Sequence, residues 1–302
     1  MPSMAQVQVN LEGVSVALER RNVALGILQL DAQNPRIGLY KDSQPKATFS
    51  DEEIRHAIVN RGPDAYAKLR DSIEINKGVI HPIWIAPPSN GKHLVIEGNT
   101  RVLIYRELAE RFPADDRWKT ILAHVLPIGI AQSQINFVRL EAHLRGITPW
   151  DAYERARYLY ILWEKEGYPV TRLEQLTRLR RAEIETEIQA FKDMNDVYSA
   201  NFPDDPYQSQ KFSYFVEYER SNRLKQQVQK IGLGISDFCD WVGTARLPKA
   251  ENVRTLGEIL ADTTATKRFL SDGYEQAIQY LALAKPDLVS PLFQRIQVDP
   301  IL

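Results

Sequence analysis

The stretch Leu94 to Leu108, LVIEGNTRVLIYREL, constrains this chain more than any other. Leu94 and Ile96 alternate as in a strand, and the strand stops at Glu97-Gly98. From there Asn99 or Thr100 is placed to cap a helix that runs on through Leu103, Tyr105 and Leu108. A strand that turns on glycine into a helix leaves backbone N–H groups without partners at the positive end of the helix dipole. Arg101 adds a fixed guanidinium in the first turn, so the place suits a phosphate or another anion. An ordinary capped turn with a surface arginine fits the same residues. The neighbouring segments decide between the two readings.

With 302 residues the chain has room for two or three domains whose cores need no disulfides. Its one cysteine, Cys239, excludes a disulfide framework and a cysteine-rich zinc site, and points to a reducing, cytoplasmic setting. Residues 1 to 20 contain acids and no long apolar run, so no secretory signal is expected. Ile121 to Ala131 is broken by His124 and Pro127 and is too short to span a membrane. Lys and Arg number 38 against 39 Asp and Glu, so any nucleic-acid contact has to come from a local patch.

The first 130 residues read as mixed α and β. Strands are expected at Val7-Val9, Val14-Leu18 and Ala24-Leu30, followed by a turn at Asn34-Pro35-Arg36. Ser50 and Glu53 form a capping box for a helix to about Val59, and a second helix runs from near Asp64 to a stop at Asn76-Lys77-Gly78. Val79 to Ala86 and Lys92 to Glu97 read as strands joined by an Asn90-Gly91 hairpin, and Ile121 to Leu126 as another strand. Beyond that point the signals are helical. Thr148-Pro149-Trp150-Asp151 opens a helix whose apolar face carries Ala152, Ala156, Leu159 and Trp163. Arg172 to Leu179 and Ala182 to Phe191 follow, then a linker over Asn201 to Gln208, then helices such as Phe212 to Gln227, Ile235 to Val242 and Asp272 to Ala284.

Laid out in this order, the chain resembles the ParB/sulfiredoxin superfamily, and within it the ParB-like proteins. Asn34-Pro35-Arg36 followed by Tyr40 is similar to the family's NPR box. Leu69, Ser72-Ile73 and Lys77-Gly78-Val79-Ile80-His81-Pro82-Ile83 are similar to its SI…GVIQPI segment. Glu97 to Arg101 stands where ParB proteins have GERR and their relatives GxxR. Glu141-Ala142-His143-Leu144-Arg145, then Thr148-Pro149, resembles the ENxxR…NP box that leads into a helix-turn-helix. The resemblance implies an α+β ParB/sulfiredoxin-like nucleotide-binding domain over residues 1–130. An all-α helix-turn-helix domain over 131–200 and a helical C-terminal domain over 205–302 would follow. It implies a nucleoside triphosphate, CTP or ATP, with its phosphates on Gly98, Asn99, Thr100 and Arg101. Gly78 would admit a base or ribose beside His81, and Asn34 and Arg36 would close the pocket. Glu141 would be a ligand for Mg²⁺.

The departures bear on function. Sulfiredoxins carry a cysteine in the glycine turn, where this chain has Asn99, so that activity is not expected. GNTR replaces GERR and is preceded by an acid. Relatives with kinase or hydrolase activity have an acid at that place, which makes Glu97 a candidate general base or metal ligand; a carboxylate capping its own turn is the other reading. Ala142 replaces the asparagine of the metal-binding box. The second helix of the helix-turn-helix carries Glu183, Glu185 and Glu187, which repel phosphates, and only Arg178, Arg180 and Arg181 offer positive charge there. Those arginines either touch the DNA backbone or pair with the glutamates at helical spacing. Phe212, Tyr214, Phe215 and Tyr218 read as the core stripe of a helical C-terminal domain, which is also the place for a homo-oligomer or protein partner. The expectation is a cytoplasmic, nucleotide-binding, DNA-associated protein with weak sequence selectivity and no membrane contact. The rivals are a nucleotide-dependent nuclease, NTPase or phosphotransferase using Glu97, and an inactive interaction scaffold.

Overall fold

Along the strand His93–Glu97, Val95 points to one side of a sheet while Leu94 and Ile96 point to the other, and apolar side chains cover both sides. The computed structural model describes residues 5–44, 48–144, 151–205 and 208–285. They belong to two units, Met1–Trp150 and Asp151–Leu302. Arg145, Thr148 and Pro149 of the fourth box lie outside the described residues.

The first unit is built on a six-stranded mixed sheet. Its strands are β1 (Ala5–Leu11), β2 (Val14–Ala24), β3 (Leu28–Leu30), β4 (Ile83–Ile85), β5 (His93–Glu97) and β6 (Thr120–Val125), in the order β1-β2-β6-β4-β5-β3. β2 is antiparallel to both β1 and β6, and β4 to β5, whereas β6 with β4 and β5 with β3 run parallel. Asn90 and Gly91 take φ of 51° and 76°, the two positive values that a tight hairpin turn between β4 and β5 needs.

Helices cover both faces of this sheet. α2 (Asp51–Arg61) opens on the expected Ser50–Glu53 capping box, and α3 (Pro63–Asn76) ends where Lys77 turns left-handed at φ 58°. With α4 (Asn99–Arg111) they bury Ile54, Ile58, Ile73, Val102, Ile104 and Leu108 against Ile83, Ile85, Val95, Ile121 and Ala123. Each fully buried aliphatic side chain contributes about 1.5–3 kcal/mol relative to exposure. α5 (Gln132–Leu144) covers the other face, where Ile135, Phe137 and Val138 meet Leu11, Val16, Leu18 and Ile96. α5, which the sequence reading grouped with the helix-turn-helix, thus packs on the sheet of the first unit.

The strand expected over Val79 to Ala86 is confined to β4. The carbonyls of His81 and Pro82 are taken by Arg101 instead of a neighbouring strand, and Pro82 has no N–H to offer a ladder. A short helix, α1 (Gly38–Ser43), follows the Asn34 turn and had no clear sequence signal.

The second unit is helical. α6 (Ala152–Tyr160) is capped by Asp151, whose carboxylate accepts from Glu154 N at 2.9 Å, and widens into a π-helical turn at Ile161–Lys165. α7 (Val170–Thr177) and α8 (Arg181–Asp193) form the helix pair, and a second π turn, Met194–Tyr198, leads to α9 (Ser199–Asn201). Next come α10 (Phe212–Arg220), α11 (Asn222–Lys230) and α12 (Ile235–Gly243), then α13 (Val253–Ala261), α14 (Thr263–Asp272) and α15 (Tyr274–Ala284). Phe212, Phe215 and Tyr218 are buried as the core stripe expected of them, whereas Tyr214 is half-buried and its hydroxyl donates to Pro248 O at 2.9 Å. The single helix expected from Phe212 to Gln227 is broken at Ser221, whose hydroxyl accepts from Leu224 N at 3.2 Å and caps α11. The segment read as a linker is also packed. Phe202 stacks on Tyr198 with centroids 5.0 Å apart, and its ring fills the space a Cβ on Gly243 would need; positions 206 and 207 lie outside the described residues.

Candidate functional site

Gly98 stands at the N-cap of α4 with φ 104° and ψ 17°, a left-handed conformation that favours glycine. A Cβ there would also overlap the Ile83 side chain. The strand-to-helix turn is therefore as tight as expected, and the N–H groups of Asn99, Thr100 and Arg101 precede the first helical bond, Val102 N to Gly98 O at 3.0 Å. The capping expectation needs correction. Neither Asn99 nor Thr100 is the cap, because α4 starts at Asn99 and that side chain is buried. Asn99 Oδ1 accepts from Asp31 N at 2.9 Å, and its Nδ2 donates to Val95 O at 3.1 Å. It ties the residue that follows β3 to the middle of β5.

Arg101 Nη1 donates to His81 O and Pro82 O, and Nη2 makes an ion pair with Glu97, one turn earlier. The two side chains are only 14% and 20% exposed. The loop that contains Gly78 and His81 is held to α4 a second time, where Val79 N donates to Tyr105 Oη at 3.1 Å. His81 contributes its carbonyl, and its side chain is exposed.

The first box reaches the same place. Asn34 Oδ1 accepts from Arg36 N at 3.1 Å and fixes the turn. Burial, with the neighbouring Arg61 and Arg101 charges, pushes the Arg36 guanidinium below its ordinary range, and Glu97 opposes the shift. Arg61 Nη1 donates to Arg36 O at 2.9 Å. Three guanidiniums from Arg36, Arg61 and Arg101 therefore share one neighbourhood with Glu97. Sequence reasoning missed Arg61, which ends α2 in no recognisable motif. It also missed Asp31 and Arg139, which form an ion pair at 2.9 Å that is 2% and 3% exposed.

Glu141 lies two residues beyond Arg139 on α5 and is half-buried. Among the described residues no three His, Cys, Asp or Glu side chains converge as a metal ligand set. An ion held by Glu141 would take further ligands from elsewhere, such as the phosphates of a bound nucleotide.

In the second unit, Arg178 turns the chain between α7 and α8 at φ 61°. Arg180 forks onto Glu183 through two bonds of 3.1 Å, and Arg181 Nε meets Glu185 at 2.8 Å. The Arg180 bond holds the Glu183 carboxyl at about 2. The charge reading of α8 changes at Glu187. It is buried and paired through both oxygens with Arg155, so its carboxylate belongs to the packing of α8 on α6.

No family model and no curated relative matches the chain. It is similar to the solved structure of C-terminally truncated chromosome-partitioning protein ParB from Caulobacter crescentus complexed to the centromeric parS site. Identity is 15% and TM-score 0.38, over 74% of this chain and 99% of that one. It is also similar to C-terminally truncated ParB from the same organism complexed with CTP-gamma-S, at 14% identity and TM-score 0.26, over 74% of this chain and 98% of that one.

Proposed function

We propose that this chain is a nucleotide-binding, DNA-associated ParB-like protein. The first unit takes a nucleoside triphosphate, CTP or ATP, with its phosphates on the α4 N-terminus from Gly98 to Arg101. The observation that carries this reading is the gathering of Arg36, Arg61 and Arg101 beside the N–H groups of the first turn of α4, with Glu97 in the same neighbourhood. Guanidiniums clustered at a helix start are complementary to a polyphosphate. Gly78, His81 and Asn34 flank that turn on the two loops joined to it, where the base and ribose would lie. The phosphates would displace Glu97 from Arg101. Glu97 serves as the counter-ion of Arg101, which favours a binding role over a general base there.

The α7–α8 pair supplies the DNA arm of the proposal, through Arg178, Arg180 and Arg181. With two of these arginines paired to glutamates, contact with the duplex is weak, salt-dependent and poorly selective. A second reading, an interaction scaffold, is favoured by the same Arg101 bonds, since Glu97, His81 O and Pro82 O already satisfy its guanidinium. Calorimetric titration with CTP and ATP, with and without Mg²⁺ and duplex DNA, separates the two. Binding that Arg101→Ala weakens at least tenfold supports the nucleotide site, and no heat with either nucleotide leaves the scaffold.

A further inference from the structure

Asp31 is one of the few charged residues buried in the first unit, and every polar atom it has is used. Its N–H donates to Asn99 Oδ1 at 2.9 Å, and its carbonyl accepts from Asn34 N at 3.0 Å. One carboxylate oxygen accepts from Gln33 N at 2.9 Å, and the other from Arg139 Nε at 2.9 Å. Arg139 Nη1 in turn donates to Asn136 Oδ1 at 3.1 Å, which also accepts from Gln132 Nε2 at 3.1 Å. These bonds join segments far apart in sequence. Asn34 starts the turn that fixes Arg36, Asn99 starts α4, and Arg139 sits in the middle of α5.

We infer that Asp31, neutralised by Arg139, is the positioning residue of the proposed phosphate site. This inference rests on the nucleotide reading above. Asp31 touches no ligand. It sets the distance between the Arg36 turn and the α4 N-terminus by bonding the first residue of each. Its charge explains why Arg139 is needed. An uncompensated carboxylate next to the bonded Asn99 would repel the phosphates through a water-poor interior, where Coulomb forces are several times stronger than in solution. The arginine cancels that field and keeps the Asp31 side chain in one orientation. Hydrogen bonds set the geometry, and the opposite charge makes the geometry compatible with an anion.

The test separates charge from shape. In Arg139→Gln the Asp31 carboxylate stays without its counter-charge, and affinity for CTP and ATP is expected to fall about tenfold or more. Asp31→Asn with Arg139→Gln keeps both hydrogen-bonding shapes with no net charge, and is expected to return affinity to within about threefold of the wild type. Calorimetry reads the affinity, and the melting temperature of each variant is recorded beside it. A purely structural pair would lower the melting temperature of Arg139→Gln and leave the affinity of the folded protein unchanged. Unchanged affinity in that variant overturns the inference. So does a folded double variant that remains more than about tenfold weakened, which also serves if Arg139→Gln alone does not fold. A wild type that binds and loses affinity in Arg101→Ala, with Arg139→Gln unaffected, overturns the role of Asp31 alone. A wild type that binds neither nucleotide overturns the site and this inference together.

Discussion

Arg101 and Glu97 lie one helical turn apart and hold each other across the start of α4, with Arg101 also spanning to the carbonyls of His81 and Pro82. The bonds to these carbonyls close the loop onto the helix, and Glu97 holds the guanidinium in place for them. In the proposed complex a phosphate would compete with Glu97 for one arm of the guanidinium and leave the other arm on the loop.

Glu97→Gln is therefore expected to strengthen CTP and ATP binding, by removing a carboxylate that pairs with Arg101 and acts on Arg36. Arg101→Ala is expected to weaken it, at about 1.5–3 kcal/mol for each charge-assisted bond lost. Both are read by calorimetry at one salt concentration. Should Glu97→Gln weaken binding instead, the carboxylate has a role in the bound state. Robust nucleotide hydrolysis that Glu97→Gln abolishes would move the protein among enzymes.

Gly98→Ala is expected to cost about 2–5 kcal/mol, from the left-handed backbone and from overlap with Ile83. Denaturant unfolding of the chain gives the number. A loss below about 0.5 kcal/mol would mean that the turn relaxes freely and is no rigid cradle.

Replacing Glu183 and Glu185 by glutamine releases Arg180 and Arg181 from their pairs. If α7–α8 meets DNA, the slope of log affinity against log salt should steepen by about 0.9 for each arginine set free, roughly 2 in all. Fluorescence anisotropy on two unrelated duplexes at several salt concentrations measures it. A wild type that discriminates sharply between the duplexes at high salt contradicts the weak, phosphate-led contact.

Burial, and then the charge of Glu219, push the Asp193 carboxyl up to about 7 from 3.8. Lys225 sits on Glu219 at 2.9 Å, and Gln189 donates to Asp193 at 2.8 Å. Between those two values the folded chain keeps a proton that the unfolded chain releases. Stability is fully present below pH 4 for this group, is lost as pH rises towards 7, and is flat above it. The slope is about 1.4 kcal/mol per pH unit. Asp193→Asn is expected to remove that slope, so the variant gains on the wild type most at pH 8 and least at pH 5 in thermal melts. Parallel pH profiles for the two proteins would show that Asp193 titrates normally.

The α+β and helical halves were legible because each rests on local periodicity, and so were the Ser50–Glu53 box, the Asn90-Gly91 hairpin and the turn at Gly98. The buried stripe at Phe212, Phe215 and Tyr218 was legible for the same reason. What failed depended on partners distant in sequence. Asn99 has the composition of a cap, yet 68 positions separate it from Asp31, its actual partner. Glu187 has the composition of an exposed helix face, and only the packing of α8 on α6 brings Arg155 to it. Arg61 and Arg139 carry no motif, and their places become meaningful only after the sheet has assembled.

The order in which a ribosome delivers this chain is not the order in which its sheet is laid. β6, the last strand of this sheet in chain order, sits between β2 and β4 and pairs with both. Until it emerges, the hairpin of β1 and β2 has nothing to join it to β4, β5 and β3, and each piece shows an open edge of the kind that invites wrong pairing. Nascent chains released shortly before Thr120 should therefore be sensitive to proteases and to chaperone capture. Protection should arrive in one step once the strand through Val125 has left the tunnel.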